Sequence, residues 1–219
     1  MEHKRIGLLG GTFNPVHRGH LRAAEEVRLR FGLSRVLFIP SYIPPHKQKA
    51  DIASPEDRFA MVELALRSHP RMEASSVEIE AREKSYSIIT LNKLKAVYAD
   101  ADIFFILGVD AFLEIETWKS YRDVLEQCRF IVISRPGFSL EKAREVLPSE
   151  YVEKIGECSR PGPVGGDILA RYQIFLVPIK AFDISSTEIR RRVRAGRSIH
   201  RMVPGPVEEY IRGKKLYQE

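Results

Sequence analysis

Ile6-Gly7-Leu8-Leu9-Gly10-Gly11-Thr12-Phe13-Asn14-Pro15-Val16-His17-Arg18-Gly19-His20 is the stretch from which the rest of the chain can be read. Its first four residues are a short, largely apolar run of strand length. Two glycines at the carboxyl end of such a strand let the backbone approach a phosphate closely. The chain then turns at Asn14-Pro15, and the spacing predicts a helix that begins near His17 and continues through Leu21, Ala24, Val27 and Phe31. His17 and His20, three residues apart, share one face of its first turn. There the amide dipoles favour anions, and two imidazoles can donate hydrogen bonds to phosphate oxygens. Gly19 removes a side chain where a substrate would crowd.

The same alternation runs along the chain. Ile6–Leu9, Val36–Ile39, Ile103–Leu107, Phe130–Ser134 and Ile174–Val177 are apolar at nearly every position, as strands buried on both faces require. Met72–Glu80 alternates more and reads as a weaker strand nearer an edge. Between these lie helical patterns: Phe59, Val62 and Leu66 behind the start Ser54-Pro55-Glu56-Asp57, then Ile88, Leu91, Leu94 and Tyr98. Ser185-Ser186-Thr187-Glu188 reads as a capping box that opens one more. Strand–helix alternation implies an α/β fold with a Rossmann-like, doubly wound parallel sheet and a small helical C-terminal extension. A single domain is expected over residues 1–219, with the C-terminal helices from about 185 packed on it. Pro136–Arg171 is the least regular segment, and Pro161–Asp167 within it reads as a mobile surface loop.

At 219 residues, 44% hydrophobic and 29% charged, the chain has an ordinary globular balance and enough length for a real core. No apolar run approaches the ~18 residues that span a membrane, and the basic start Met1–Arg5 is followed by too short an apolar run for a signal peptide. A soluble cytoplasmic protein is expected. Cys128 and Cys158, with no Cys-x-x-Cys, read as reduced thiols. The net charge of +6 gathers near Arg190, Arg191, Arg192, Arg194, Arg197 and Arg201. It suits an enzyme of polyphosphate substrates as well as a nucleic-acid binder, and does not decide between them.

Further segments carry chemistry. Ser185–Arg190 is a helix start crowded with hydroxyls and followed by arginines, which is either an anion site or a plain cap with a solvated basic face. Pro40–Lys47 ends a stiff, proline-paired loop at His46 and Lys47. Gly108-Val109-Asp110 follows the strand Ile103–Leu107, where a glycine and a carboxylate are well placed to meet a ribose. Trp118 lies eight residues beyond Asp110; a lone tryptophan is most often core. His17 and His20 have no Asp, Glu or Cys nearby to complete a metal shell, and no metal site is expected.

Gly10–His20 resembles the signature of the nucleotidyltransferase superfamily with the His-x-Gly-His motif. The form Gly-Gly-Thr-Phe-Asn-Pro-Val-His resembles that of the nicotinate-nucleotide adenylyltransferases. The resemblance spans Arg5 to about Arg212 and implies a single nucleotidyltransferase domain that joins nicotinate mononucleotide to the adenylyl group of ATP, giving nicotinate adenine dinucleotide and pyrophosphate in NAD biosynthesis. It implies catalytic roles for His17, His20 and Lys47. It assigns ATP to Gly10, Gly11, Thr12, Phe13, His17, His20, Gly108, Asp110, Ile184, Ser186, Thr187 and Arg190. The mononucleotide falls to His46, Lys47, Ser85, Tyr86, Ser87, Trp118 and Arg135. Ser87 stands where the family has threonine, which keeps the hydroxyl and loses a methyl. Mg²⁺ is expected to accompany ATP without a dedicated protein cage.

Competing readings are an adenylyltransferase for nicotinamide mononucleotide or phosphopantetheine, and a non-catalytic nucleotide or RNA binder. A class I aminoacyl-tRNA synthetase would need a far longer chain. RNA binding would interleave aromatics with the arginines, and Arg190–Arg201 contains none. No nucleic acid or membrane partner is expected, and the oligomeric state is left open.

Overall fold

Runs that are apolar at every position must be covered on both faces, and the chain meets that requirement with strands between helical layers. The computed structural model describes residues 4–43, 52–180 and 184–218. Its strands are β1 (Lys4–Gly11), β2 (Arg35–Pro40), β3 (Met72–Ala74), β4 (Ala101–Gly108), β5 (Arg129–Ile133), β6 (Ile155–Glu157) and β7 (Ile174–Val177). They form one seven-stranded sheet in the order β3-β2-β1-β4-β5-β7-β6. The register of β1 on β4 is parallel, from Lys4 opposite Ala101 to Leu9 opposite Ile106. The pairs β4–β5, β5–β7 and β6–β7 are parallel as well. Strand order runs outward in both directions from the β1–β4 pair, which makes the sheet doubly wound, as the sequence predicts. In such sheets ligands bind beyond the carboxyl ends of the strands where the order reverses.

The helices are α1 (Arg18–Phe31), α2 (Pro55–Leu66), α3 (Val77–Ala81), α4 (Ser87–Val97), α5 (Val109–Phe112), α6 (Tyr121–Gln127), α7 (Ser149–Val152), α8 (Gly166–Arg171), α9 (Ser186–Arg194) and α10 (Gly205–Gly213). Ser54 caps α2 by accepting from the Asp57 N–H at 3.0 Å, with Pro55 at the first helical position. In α9 half of the capping box forms. Ser185 accepts from the Glu188 N–H at 3.1 Å, but the Glu188 carboxylate turns to Arg191 and Arg192, each at 2.8 Å. Those two hydrogen bonds hold Glu188 down at about 2.

Contacts along the chain divide it into two units, the first gathering Met1–Leu9, Ala24–Val36 and Tyr86–Ala181, the second Gly10–Ala23, Leu37–Ser85 and Phe182–Glu219. In the first, Phe31, Phe104 and Phe175 form an aromatic core with centroids 5.2–6.2 Å apart. Gly7 is required there, because a Cβ would come within 2.8 Å of Ile106 and Leu33. Cys128 and Cys158 are buried free thiols, and burial pushes Cys128 up to about 12. Among the described residues no helix is long and apolar enough to cross a membrane.

Two expectations need correction. Met72–Glu80 is a three-residue edge strand followed by the single helical turn α3, in which no residue is buried. The alternation of Val77 and Ile79 imitates a strand, yet acids in the first turn and Ser76 ahead of it suit a helix start. Pro136–Arg171 is more structured than its composition implies: a 3-10 turn at Glu141–Arg144, then α7, β6 and α8, with Asp167 inside α8. Each piece is held by one or two anchors (Ala143, Tyr151, Ile155, Leu169), too few to print a period in the sequence.

Candidate active site

In the second unit the site begins where β1 ends at Gly10-Gly11. Phe13 takes a left-handed φ of 47° and is buried. Its ring meets the His20 ring edge-on at 5.1 Å and packs on Phe38 at 5.6 Å, so Phe13 supports a histidine rather than merely continuing the backbone. His17 caps α1: its carbonyl accepts from the N–H groups of His20 and Leu21 at 3.0 and 3.4 Å. In return the His17 N–H donates to His20 Nδ1 at 3.2 Å. This is the returning half of a capping box, with histidine in the place usually taken by Glu or Gln. An Nδ1 that accepts is unprotonated, which in a neutral imidazole places the proton on Nε2. The two rings stack at 3.6 Å, with His17 buried.

The loop between strand and helix is held from the C-terminal side of the same unit. Ser186 Oγ donates to the Pro15 carbonyl at 2.9 Å, and an Arg190 NH₂ group donates to the Asn14 carbonyl at 2.9 Å. The sequence assigns both side chains to phosphate; the structure gives each a contact to the loop that carries the histidines. Thr187 is exposed and Ile184 half-buried.

Arg58 was not singled out from the sequence. Fully buried on α2, it donates to Ala53 O at 3.0 Å, Thr12 O at 2.9 Å and Tyr42 O at 3.0 Å. Desolvation lowers its guanidinium from the ordinary value, while the three carbonyls use its donors fully enough to keep the burial tolerable. Tyr42 and Ala53 flank the segment with His46 and Lys47, both of which lie outside the described residues. Ser85 is tied to the same segment: its Oγ accepts from the Tyr42 N–H at 2.9 Å, and its N–H donates to Ile43 O at 3.2 Å.

In the first unit a second group forms at the ends of β4 and β5. Gly108 ends β4, and Asp110 in α5 lies 3.7 Å from Arg135 Nε. A Cβ on Gly108 would collide with the Asp110 carboxylate and stand 2.7 Å from Arg135 Nε, so a larger residue would have to displace these two side chains. Sequence reasoning treated Asp110 and Arg135 as separate candidates, and the structure brings them together. Trp118 is half-buried, with its ring edge-on to Phe105 at 5.8 Å, so it is anchored to the core without being engulfed by it. Tyr86 precedes α4, whose start Ser87 has no side-chain cap. Lys119 Nζ sits 4.7 Å from the centre of the Tyr86 ring. Among the described residues no group of three or more His, Cys, Asp or Glu stands close enough to hold a metal ion.

A family profile described as cytidylyltransferase-like matches residues 8–192. A protein of Geotalea daltonii named "Probable nicotinate-nucleotide adenylyltransferase" is 40% identical over 215 residues, covering 98% of this chain and 99% of its own. One of the same name from Citrifermentans bemidjiense is 42% identical over 214 residues, covering 97% and 98%. Among solved structures, the nicotinic acid mononucleotide adenylyltransferase of Plasmodium falciparum complexed with NaAD is similar with a TM-score of 0.72, 18% identity and 98% of each chain covered. At that identity the likeness speaks for the fold.

Proposed function

We infer the chemistry of this chain from one premise: it belongs to the nicotinate-nucleotide adenylyltransferase family. We propose that it joins nicotinate mononucleotide and ATP, taken as the Mg²⁺ complex, into nicotinate adenine dinucleotide and pyrophosphate. The mononucleotide phosphate forms a bond to the α-phosphorus of ATP while the bond to the β-phosphate oxygen breaks. The attacking phosphate is substantially dianionic near neutral pH, so no general base is needed. Catalysis is then positioning, together with stabilisation of charge on the α-phosphate and the leaving pyrophosphate.

One observation carries this reading. His17 at the cap and His20 in the first turn of a 14-residue helix are stacked, with the His20 ring oriented by the His17 N–H. That arrangement places two imidazoles at the positive end of the helix, after two glycines, where an anion is stabilised. In this proposal His17, His20 and Lys47 act on the transferring phosphates. The backbone of Gly10–Phe13, with Ile184, Ser186, Thr187 and Arg190, lines the path of the triphosphate, and Gly108 and Asp110 take the adenosine side. His46, Ser85, Tyr86, Ser87, Trp118 and Arg135 serve the mononucleotide. The cytoplasmic location and the absence of a nucleic-acid partner belong to the same proposal; the pairing of Arg191 and Arg192 with Glu188 supports the latter, since it neutralises part of the basic face.

The test is pyrophosphate release with ATP against nicotinate, nicotinamide and pantetheine phosphates. Release with the nicotinate compound above the others is expected; equal or greater release with pantetheine phosphate would overturn the substrate. Trp118→Ala separates stacking from packing. Loss of a base-stacking ring typically costs 1–3 kcal/mol, so the mononucleotide KM should rise roughly tenfold or more while the ATP KM stays within about twofold. A variant that melts early and harms both substrates alike would make Trp118 a core residue.

A further inference from the structure

After α10 the chain here folds back tightly: the Lys215 N–H donates to Arg212 O at 3.2 Å and the Leu216 N–H to Ile211 O at 3.0 Å. Two non-glycine residues within it, Lys215 and Tyr217, adopt left-handed φ values of 53° and 63°. Side chains disfavour that region, and it persists where surrounding contacts over-determine it. The contact that Tyr217 makes is specific. Its hydroxyl donates to Asn14 Oδ1 at 2.7 Å, across 203 residues of sequence.

Asn14 is buried, and the same Oδ1 also accepts from the Ala53 N–H at 3.0 Å. Two donors on one amide oxygen fix the plane of the side chain and its sense. Its backbone carbonyl accepts from Arg190, so Asn14 is held at both ends. Asn14 stands three residues before His17. The phenol lies near Arg58 and Arg190, and burial pushes its ionisation well above the ordinary range, so it remains an O–H donor at working pH.

We propose that Tyr217 is a positioning residue, whose hydroxyl sets Asn14 and thereby the loop that delivers His17 and His20 to the ATP phosphates. This rests on the reading of those histidines as phosphate ligands. The tail therefore contributes to catalysis from a distance, with no contact to the reacting atoms.

The full-length Tyr217→Phe variant removes the hydroxyl and keeps the ring. One hydrogen bond of this kind corresponds to about a fivefold change in an equilibrium, and a misplaced loop costs more at the chemical step. We expect the Kd for Mg²⁺–ATP, by calorimetry, to rise about fivefold and kcat to fall roughly tenfold, with the mononucleotide KM within twofold. Tyr210→Phe is the control: its hydroxyl, on α10, donates to Asp57 Oδ1 at 2.8 Å, a bond of like length that does not touch Asn14. It should change the Tm as much as Tyr217→Phe does while leaving ATP affinity and kcat alone. ATP affinity in Tyr217→Phe equal to the parent, or losses in both variants that simply follow Tm, would overturn the proposal. A parent that binds ATP without using nicotinate mononucleotide would refute the proposed substrate, and the calorimetry would still judge Tyr217. A parent that binds no ATP would overturn both.

Discussion

His20→Ala lowers kcat by about a hundredfold or more, the usual cost of removing one pre-aligned donor from a developing charge, while the protein stays folded. The second clause follows from what else the ring does. His20 Nδ1 accepts the His17 N–H and so closes the first turn of α1; losing a cap of this sort costs about 0.5–2 kcal/mol. That is a fraction of the 5–15 kcal/mol typical of a domain, so the kinetic loss is read on a folded enzyme. A second substitution separates the two roles. His20→Gln offers an oxygen at the third helical position, the residue type that normally completes this box. Its Tm should recover toward that of the parent, whereas its kcat should stay low, because the amide neither stacks on His17 nor carries the Nε2–H. Circular dichroism melts and initial rates at saturating substrates check both. Near-parental turnover in a well-folded His20→Ala would remove the histidine from the chemistry.

What could be read from the sequence was local, and what could not was remote. Gly10–His20 and Ser185–Arg190 each carry their signal within a dozen residues, because strand ends, turns and helix starts are specified by neighbours. That Ser186 and Arg190 grip the Pro15 and Asn14 carbonyls is a relation across 171 and 176 residues, to which no local pattern points. Tyr217 is hidden for the same reason. Arg58 is a different kind of omission, since a signal existed. The buried face of α2 is Arg58, Met61, Val62, Ala65 and Leu66, a helical stripe whose first member is charged. Choosing Phe59 as the start of the stripe, although Phe59 is only half-buried, moved attention one residue past the guanidinium that ties Thr12 to Tyr42. β6 went unseen because three residues specify no strand by themselves; its pairing with β7, from Ile155 opposite Ile174, supplies what its own sequence lacks.

We expect nicotinate mononucleotide to be preferred to the nicotinamide compound by at least about a hundredfold in kcat/KM. The two rings have nearly the same shape, so stacking on Trp118 cannot separate them, and the difference must lie in the substituent. A carboxylate only accepts hydrogen bonds, whereas an amide presents an NH₂ group on one side. The Ser85 N–H is committed to Ile43 O and its Oγ accepts from the Tyr42 N–H, so what Ser85 can offer is its hydroxyl hydrogen, itself a donor. The start of α4 adds more. With Tyr86 providing no side-chain cap, the N–H groups of Ser87 and Ile88 lack intrahelical partners, as every helix start dictates. They suit an acceptor-only group, and the Lys119 ammonium over the Tyr86 ring adds charge of the same preference. Turning an amide NH₂ toward such donors leaves buried polar groups mispaired, at about 1–3 kcal/mol each. Two mispairings reach a hundredfold, and sites built to pair a substrate's polar group discriminate by larger factors still. Both mononucleotides in one vessel with limiting ATP give the ratio directly from the two dinucleotide products. A ratio near unity would leave adenylyl transfer intact and show that the helix start of α4 does not read the ring substituent.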